Sequence, residues 1–419
     1  MLPDGRNPRS GSGHYYCRNY SMGNCHPLWR GKAWSKNNNS KDGKIPERKM
    51  KPEDIPAVAE RYRKTLIDDI IPFWMKYSPD SESGGYFTCL DRMGTVYDTD
   101  KFVWLQGREV WMFSHLFNNV EKRQEWLVTA LSGAAFLEKY GSDRDGNFYF
   151  SLTREGKPLV HPYNIFSDCF AAMAFGELFS ATGNSRYGEI SVNTFRNILR
   201  RSENPKGNWS KVYPGTRPLK GFSLPMIISN LSGILAPLLD AGTVERVREE
   251  CIHEVMDIFY SKEYGLILEN VAPDGSFSDS FEGRLLNPGH AIEAMWFMMD
   301  LAEIRGDQEL AARATEITLE TLGKGWDEQY GGIFYFLDIK GYPPQQLEWD
   351  QKLWWVHIET LISLAKGYRL TGDRRCLDWF EKVDAYTWSH FPDPEFGEWY
   401  GYLNRSGDVL LHLKGGKWK

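Results

Sequence analysis

The chain has 419 residues, of which 42% are hydrophobic and 25% charged, and its net charge is −6. That balance describes a globular protein with ample core and without the basic stripe of a nucleic-acid binder. No run of 18 apolar residues suits a membrane span, and no charged-then-apolar leader suits secretion. The cysteines (17, 25, 89, 169, 251 and 376) follow no framework spacing and read as reduced thiols, which places the protein in the cytoplasm.

Residues 1–50 are rich in Gly, Ser, Asn and basic side chains and lack any apolar period, so a disordered leader is expected there. His14, Cys17, Cys25 and His26 match no common zinc-finger spacing, and no metal site is assigned. One domain is expected over 51–419.

A helix over Asp54 to Tyr77 opens that domain, and a repeat then sets its architecture. Gly-plus-aromatic segments begin at Gly84, Gly146, Gly207, Gly265, Gly331 and Gly397, spaced by 62, 61, 58, 66 and 66 residues. A second glycine follows each after 8 to 10 residues: Gly94, Gly156, Gly215, Gly275, Gly341 and Gly407. Short apolar runs punctuated in this way predict six small β-hairpins. Between hairpins lie two stretches of helical period, as at Val103 to Val120 and Trp126 to Tyr140. The later pairs break at Thr182-Gly183-Asn184, Asp240-Ala241-Gly242, Arg305-Gly306-Asp307 and Thr371-Gly372-Asp373, where glycine ends one helix and Asp or Asn caps the next. The first helix of each pair, such as Ala291 to Leu301 or Leu353 to Leu364, is apolar nearly all round. The second, such as Glu245 to Phe259, has a charged face. The reading is an all-α fold, an (α/α)6 barrel with short hairpins at its mouth. Six outer and five inner helices are counted, so the last inner helix is missing by internal symmetry.

In such a ring the chemistry belongs where hairpins feed the inner helices. Candidates there are Trp104, Gln106 and Arg108, Ile165 to Asp168, His290 with Glu293, and Trp354, Trp355, His357 and Glu359. His290 and Glu293 are three apart on one helix face, and a carboxylate beside an imidazole suits a general base near neutral pH; a pair that only satisfies a buried polar position is the alternative. Arg108 stands in an apolar segment, so it faces either a ligand oxygen or a structural partner such as Glu109. His357 and Glu359 are two apart and point to different faces. Trp104, Trp354 and Trp399 are candidate walls for a sugar ring, and each is equally a core residue. No P-loop, Rossmann glycine pattern or Cys-x-x-Cys occurs.

Phe73-Trp74-Met75, Gly84 to Leu90, Val103 to Arg108, Asn287-Pro288-Gly289-His290, Leu347-Glu348-Trp349, Lys352 to Trp355 and Pro392 through Arg405 carry a resemblance. In unbroken order from about Pro52 to Lys419, the chain resembles the N-acylglucosamine 2-epimerase (renin-binding protein) family, and its vertebrate members in particular. The resemblance implies interconversion of N-acetylglucosamine and N-acetylmannosamine in amino-sugar and sialic acid metabolism, by proton removal and return at C2 of the open-chain sugar. It implies ATP as a non-consumed activator, a homodimer, and renin as a partner. Carried over residue by residue, His290 is an acid/base with Glu293 beside it, Glu359 supports the opposite catalytic group, and Arg108 polarises substrate oxygens. Trp104, Gln106, Trp354, His357 and Trp399 are assigned to substrate binding. In the family, the segment matching Gly415 to Lys419 runs on into a second catalytic histidine and the last inner helix, so low stability and little epimerase activity are expected of the 419-residue chain. Two alternatives stay open: a glycoside hydrolase on the same barrel, which needs two facing carboxylates, and a non-catalytic interaction protein.

Overall fold

A computed structural model describes residues 50–213 and 215–418. The expected leader and the His14, Cys17, Cys25 and His26 group lie outside the described residues.

The first arm is helical from Pro52 to Tyr77: a short 3-10 turn, α1 (Ile55–Thr65), a π-turn at Leu66–Ile70 and α2 (Ile71–Tyr77). Ten longer helices follow in pairs: α3 (Val103–Asn119) and α4 (Gln124–Tyr140), α5 (Phe166–Thr182) and α6 (Ser185–Arg201), α7 (Ser223–Ile234) and α8 (Ala241–His253), α9 (Pro288–Arg305) and α10 (Gln308–Gly325), α11 (Trp354–Thr371) and α12 (Arg374–His390). Helices α3, α5, α7, α9 and α11 pack side by side in that order as an inner row, each backed by the next helix in the chain. The inner helices earn that place by composition: α5 and α9 each bury side chains on every face, whereas α6 and α8 bury a single stripe. Among the described residues the inner row has five helices, and no helix follows the sixth hairpin. The fold is an α/α barrel whose helical ring is not closed.

The helix breaks form by the expected chemistry at three of four places. Gly183, Gly306 and Gly372 end α5, α9 and α11 in the left-handed conformation, and Asn184, Asp307 and Asp373 accept backbone N–H bonds at the next N-terminus. The fourth differs. Asp240 caps α8, but Gly242 lies inside that helix, and α7 ends in a 3-10 turn containing Pro237. Proline's missing N–H, rather than glycine's freedom, stops this inner helix.

All twelve repeat glycines have positive φ, from 48° at Gly207 to 91° at Gly407. Five of the six hairpins form. The segment after Gly207 instead makes a single 3-10 turn, Gly207–Trp209, and among the described residues reaches Lys220 without a strand. Pro205, Pro214 and Pro218 withdraw three ladder donors from this stretch, which accounts for the lost hairpin. Lys220–Gly221 still pairs with Asn270–Val271 of the next unit, as Lys101–Phe102, Leu285–Leu286 and Lys352–Leu353 do with theirs.

Neighbouring hairpins are tied by buried ion pairs that composition does not reveal. Asp80 takes Lys101 and Arg154, Asp327 takes Lys352 and Arg405, and Asp393 takes Lys414 and Arg92. In each trio the arginine comes from another hairpin, and lysine and aspartate are almost fully buried. The Asp393 trio joins the last hairpin to the first. The backbone does the same, because Lys414 and Gly415 donate to the Leu90 carbonyl and Arg92 donates to that of His412. The ring is thus closed at its mouth by hairpins.

Candidate active site

The buried lysines also set the register of the inner helices. Arg108 and Glu359 each stand seven residues after such a lysine, Lys101 and Lys352. Two residues earlier, Gln106 and His357 clamp the hairpin beneath: Gln106 Oε1 accepts the Tyr86 N–H at 2.8 Å, and His357 Nε2 accepts the Ile333 N–H at 3.1 Å. Asp168 does the same for the Phe148 N–H, which makes Phe170 the counterpart of Arg108 on α5. With one position of each helix spent on its hairpin, the position two residues on is free to face its counterparts.

That register brings Arg108 and Glu359 together from α3 and α11, and Glu293 joins them from α9, where Leu286 and Ala291 replace the lysine and the clamp. Both carboxylates feel the Arg108 charge, and Glu359 also feels Glu293. Burial, followed by the neighbouring Glu293, pushes Glu359 up to about 8, although the Trp296 indole donates to its Oε2 at 2.8 Å. Burial likewise raises Glu293, while His290 and Arg108 pull the other way. The Arg108 guanidinium lies 4.8 Å from the Phe170 ring centroid and 5.5 Å from that of Trp104. Among the described residues no carboxylate takes Arg108 in an ion pair, and Glu109 bonds Ser78 instead.

His290 enters the same space from the first turn of α9. Asn287 caps that helix through Oδ1, which accepts the His290 N–H, and Pro288 supplies the preset φ of the first position. The partner of the ring is not Glu293 but Glu269, whose Oε1 stands 3.0 Å from Nδ1. Burial lowers the imidazole pKa, but the carboxylates of Glu269 and then Glu293 outweigh it, so His290 is held above its ordinary range. The side chain is 29% exposed, so the ring is open to solvent rather than sealed in core. Trp355 lies against it at 5.5 Å and meets Tyr335 at 6.3 Å. Gly289 permits this, because a Cβ there would sit 2.6 Å from the Trp355 ring.

Four side chains assigned to substrate binding are placed elsewhere. His357 is fully buried with both ring nitrogens bonded, Nδ1 to the Leu353 carbonyl. Gln106 is fully buried, with its amide bonded to both backbone groups of Tyr86. Trp399 packs in the core against Trp388 and Phe391. Trp354 packs half-buried against the same cluster, with its backbone N–H bonded to the Gly401 carbonyl, while its neighbour Trp355 lies beside His290. For Gln106 and His357 the physical reason is register: the hairpin's backbone must be satisfied before the helix reaches the site. Trp104 alone of the assigned group meets the cluster, through Arg108. Glu269 was missed because it is 21 positions from His290 and belongs to a hairpin. Its only signal is a carboxylate ending the apolar run Leu266-Ile267-Leu268.

The family model for N-acylglucosamine 2-epimerase matches residues 85–419. The chain belongs to the N-acylglucosamine 2-epimerase family. It is 40% identical over 375 residues to the N-acylglucosamine 2-epimerase of Bos taurus, covering 88% of each chain, and 38% identical to that of Homo sapiens over 88% of this chain and 87% of the relative. The solved cellobiose 2-epimerase of Bacillus thermoamylovorans has the same fold, with a TM-score of 0.75 and 20% identity over 87% of this chain and 96% of that one. A β-1,3-1,4-glucanase from a Paenibacillus species shares it more distantly, with a TM-score of 0.59 and 10% identity over 78% and 86%. The barrel therefore serves both hydrolases and epimerases, and the side chains at its mouth must decide between them.

Proposed function

We propose that this cluster inverts C2 of an N-acylated hexosamine in its open-chain form, interconverting N-acetylglucosamine and N-acetylmannosamine. The observation that carries the reading is His290, whose Nδ1 is taken by Glu269 and whose Nε2 has no hydrogen-bond partner among the described residues. Nε2 removes the proton from C2. The C–H electron pair then forms the C1–C2 double bond as the C1 carbonyl pair moves onto its oxygen, giving a 2-acetamido enolate. Arg108 and a neutral Glu359 stabilise that oxygen, the former by charge and the latter as a donor. A solvent-derived proton delivered to the other face of C2 completes the inversion, the proton on His290 passes to solvent, and no net redox change occurs. The aromatic rings of Trp104, Phe170 and Trp355 beside these groups suit the apolar face of a sugar chain. Glu293 and Glu359 would also meet a glycosidase's need for two carboxylates, so the preference for epimerisation comes from the 40% identity to an N-acylglucosamine 2-epimerase, against 10% to the glucanase.

The family likeness also supports a homodimer, a cytoplasmic setting, renin as a partner and ATP as an activator. The outer-wall cavity between α10 and α12, about 450 Å³, commits Arg375 to Glu316 and Asp373 and is lined further by Glu320 and Asp378, a setting that repels phosphates. No step above involves it.

The test is exchange at C2. N-acetylmannosamine incubated with the protein in heavy water should gain deuterium at C2, with the N-acetylglucosamine product seen by proton NMR. Substituting His290→Gln should slow exchange by roughly 10²–10⁴-fold. Full exchange by that variant would refute the assignment.

A further inference from the structure

We propose that Glu269 is the positioning residue of this site: it accepts the Nδ1 proton of His290, fixes the tautomer, and so presents Nε2 as the base. The inference rests on the reading of His290 as the proton acceptor. Glu269 is built for the task from both sides. Its own N–H donates to the Leu285 carbonyl, and its carbonyl accepts the Phe222 N–H, which tie it to the segments leading into α9 and α7. The next two residues, Asn270–Val271, are locked by pairing with Lys220–Gly221. Both carboxylate oxygens lie within bonding reach of Nδ1, at 3.0 and 3.3 Å, and only 13% of the side chain is exposed.

The ring cannot swing away. Its backbone is capped by Asn287, and Trp355 covers it where Gly289 leaves room. Glu293, although on the same helix face, makes no hydrogen bond to the ring and acts on it through space. The other charged and titratable groups around the pair are Arg108 on α3, Glu359 on α11 and the Tyr335 hydroxyl. When Nε2 takes a proton from C2, positive charge spreads over the imidazole, and Glu269 stabilises it without receiving the proton. A carboxylate behind a catalytic imidazole acts in this way in other enzymes, where its amide analogue leaves the geometry in place but turns the tautomer over.

The experiment uses the full chain labelled with 15N-histidine, with the His290 signals assigned by their loss in His290→Gln. In the wild type, His290 should show a protonated Nδ1 and a free Nε2 at high pH and should titrate above an ordinary histidine. In Glu269→Gln its titration should fall to lower pH, and the acid limb of the C2-exchange rate should move with it. Turnover should drop about 100-fold with little change in KM, and Glu269→Asp should recover part of the loss. A Glu269→Gln protein that folds, as judged by circular dichroism, yet keeps both the titration and the turnover of wild type would overturn the proposal. So would a loss of thermal stability with no change in the pH profile. If the wild type exchanges nothing at C2, the sugar reading fails by itself, because the histidine titration reads the Glu269–His290 pair without substrate.

Discussion

His290 and His357 are imidazoles of neighbouring inner helices whose basicity is shifted in opposite directions, and their neighbours are the cause. Carboxylates hold the first above the usual range, whereas burial among neutral acceptors and donors presses the second down to about 3. A base depressed in the fold contributes stability that is complete above its unfolded pKa of 6.5 and is lost as pH falls toward 3. His357→Gln keeps a similar pair of hydrogen-bonding groups without the titration. Its melting temperature should therefore fall less than that of wild type between pH 7 and 4 in calorimetry. Glu109 works in the other direction. Buried against Ser78, it is pushed up to about 8, so its contribution is present below pH 4.5 and drains away as pH rises through 8. Glu109→Gln should melt progressively higher relative to wild type from pH 5 to 9. Arg108→Ala, by contrast, removes no ion pair and should leave the melting curve nearly unchanged while C2 exchange falls by 10²-fold or more, about the loss of one oxyanion donor.

At the level of single elements, the hairpins decide where the site lies. In three units the second glycine packs on the last turn of the preceding outer helix: a Cβ at Gly94 would lie 2.4 Å from the Tyr77 ring, one at Gly156 2.4 Å from that of Tyr140, and one at Gly407 2.6 Å from that of His390. Gly94→Ala thus adds overpacking to the strain of a positive φ, while Gly146→Ala meets nothing within 4 Å and carries the strain alone. Denaturant titration should place the second at about 1 kcal/mol and the first well beyond it. The ion-pair trios tie one hairpin to another. Asp393→Asn takes from buried Lys414 its hydrogen-bonded carboxylate, leaving it the through-space charge of Glu398, and should cost roughly 3–5 kcal/mol. Hydrogen exchange in this variant should rise first at Leu90 to Arg92 and His412 to Gly415, where the last hairpin meets the first.

Across the whole molecule, the core is continuous enough to hide reactive groups distributed over the entire chain. Cys89, Cys169, Cys251 and Cys376 are all buried and free, and burial raises each thiol, Cys251 and Cys376 to about 12. These four should stay unmodified by a thiol reagent in the native protein and react together in guanidinium. Early labelling of any one would show that its pair of helices opens independently of the rest.

Periodicity alone determined the barrel. Twelve glycines in register demand left-handed turns at fixed intervals, and each intervening apolar or amphipathic stretch has one place it can be buried. The sequence could also name Arg108, His290, Glu293 and Glu359, because their spacing from the hairpins follows from that repeat. It could not separate these from Gln106, His357, Trp354 and Trp399, which share the same segments. Which positions serve the hairpin and which reach the site depends on hydrogen bonds to backbone 20 or more residues away, at Tyr86 and Ile333. Nor could local spacing join Glu269 to His290, or Asp393 to Arg92, 301 positions apart. Such partners meet only when the ring curves back on itself, so the tertiary structure alone decided which charges are paired and which imidazole keeps an open nitrogen.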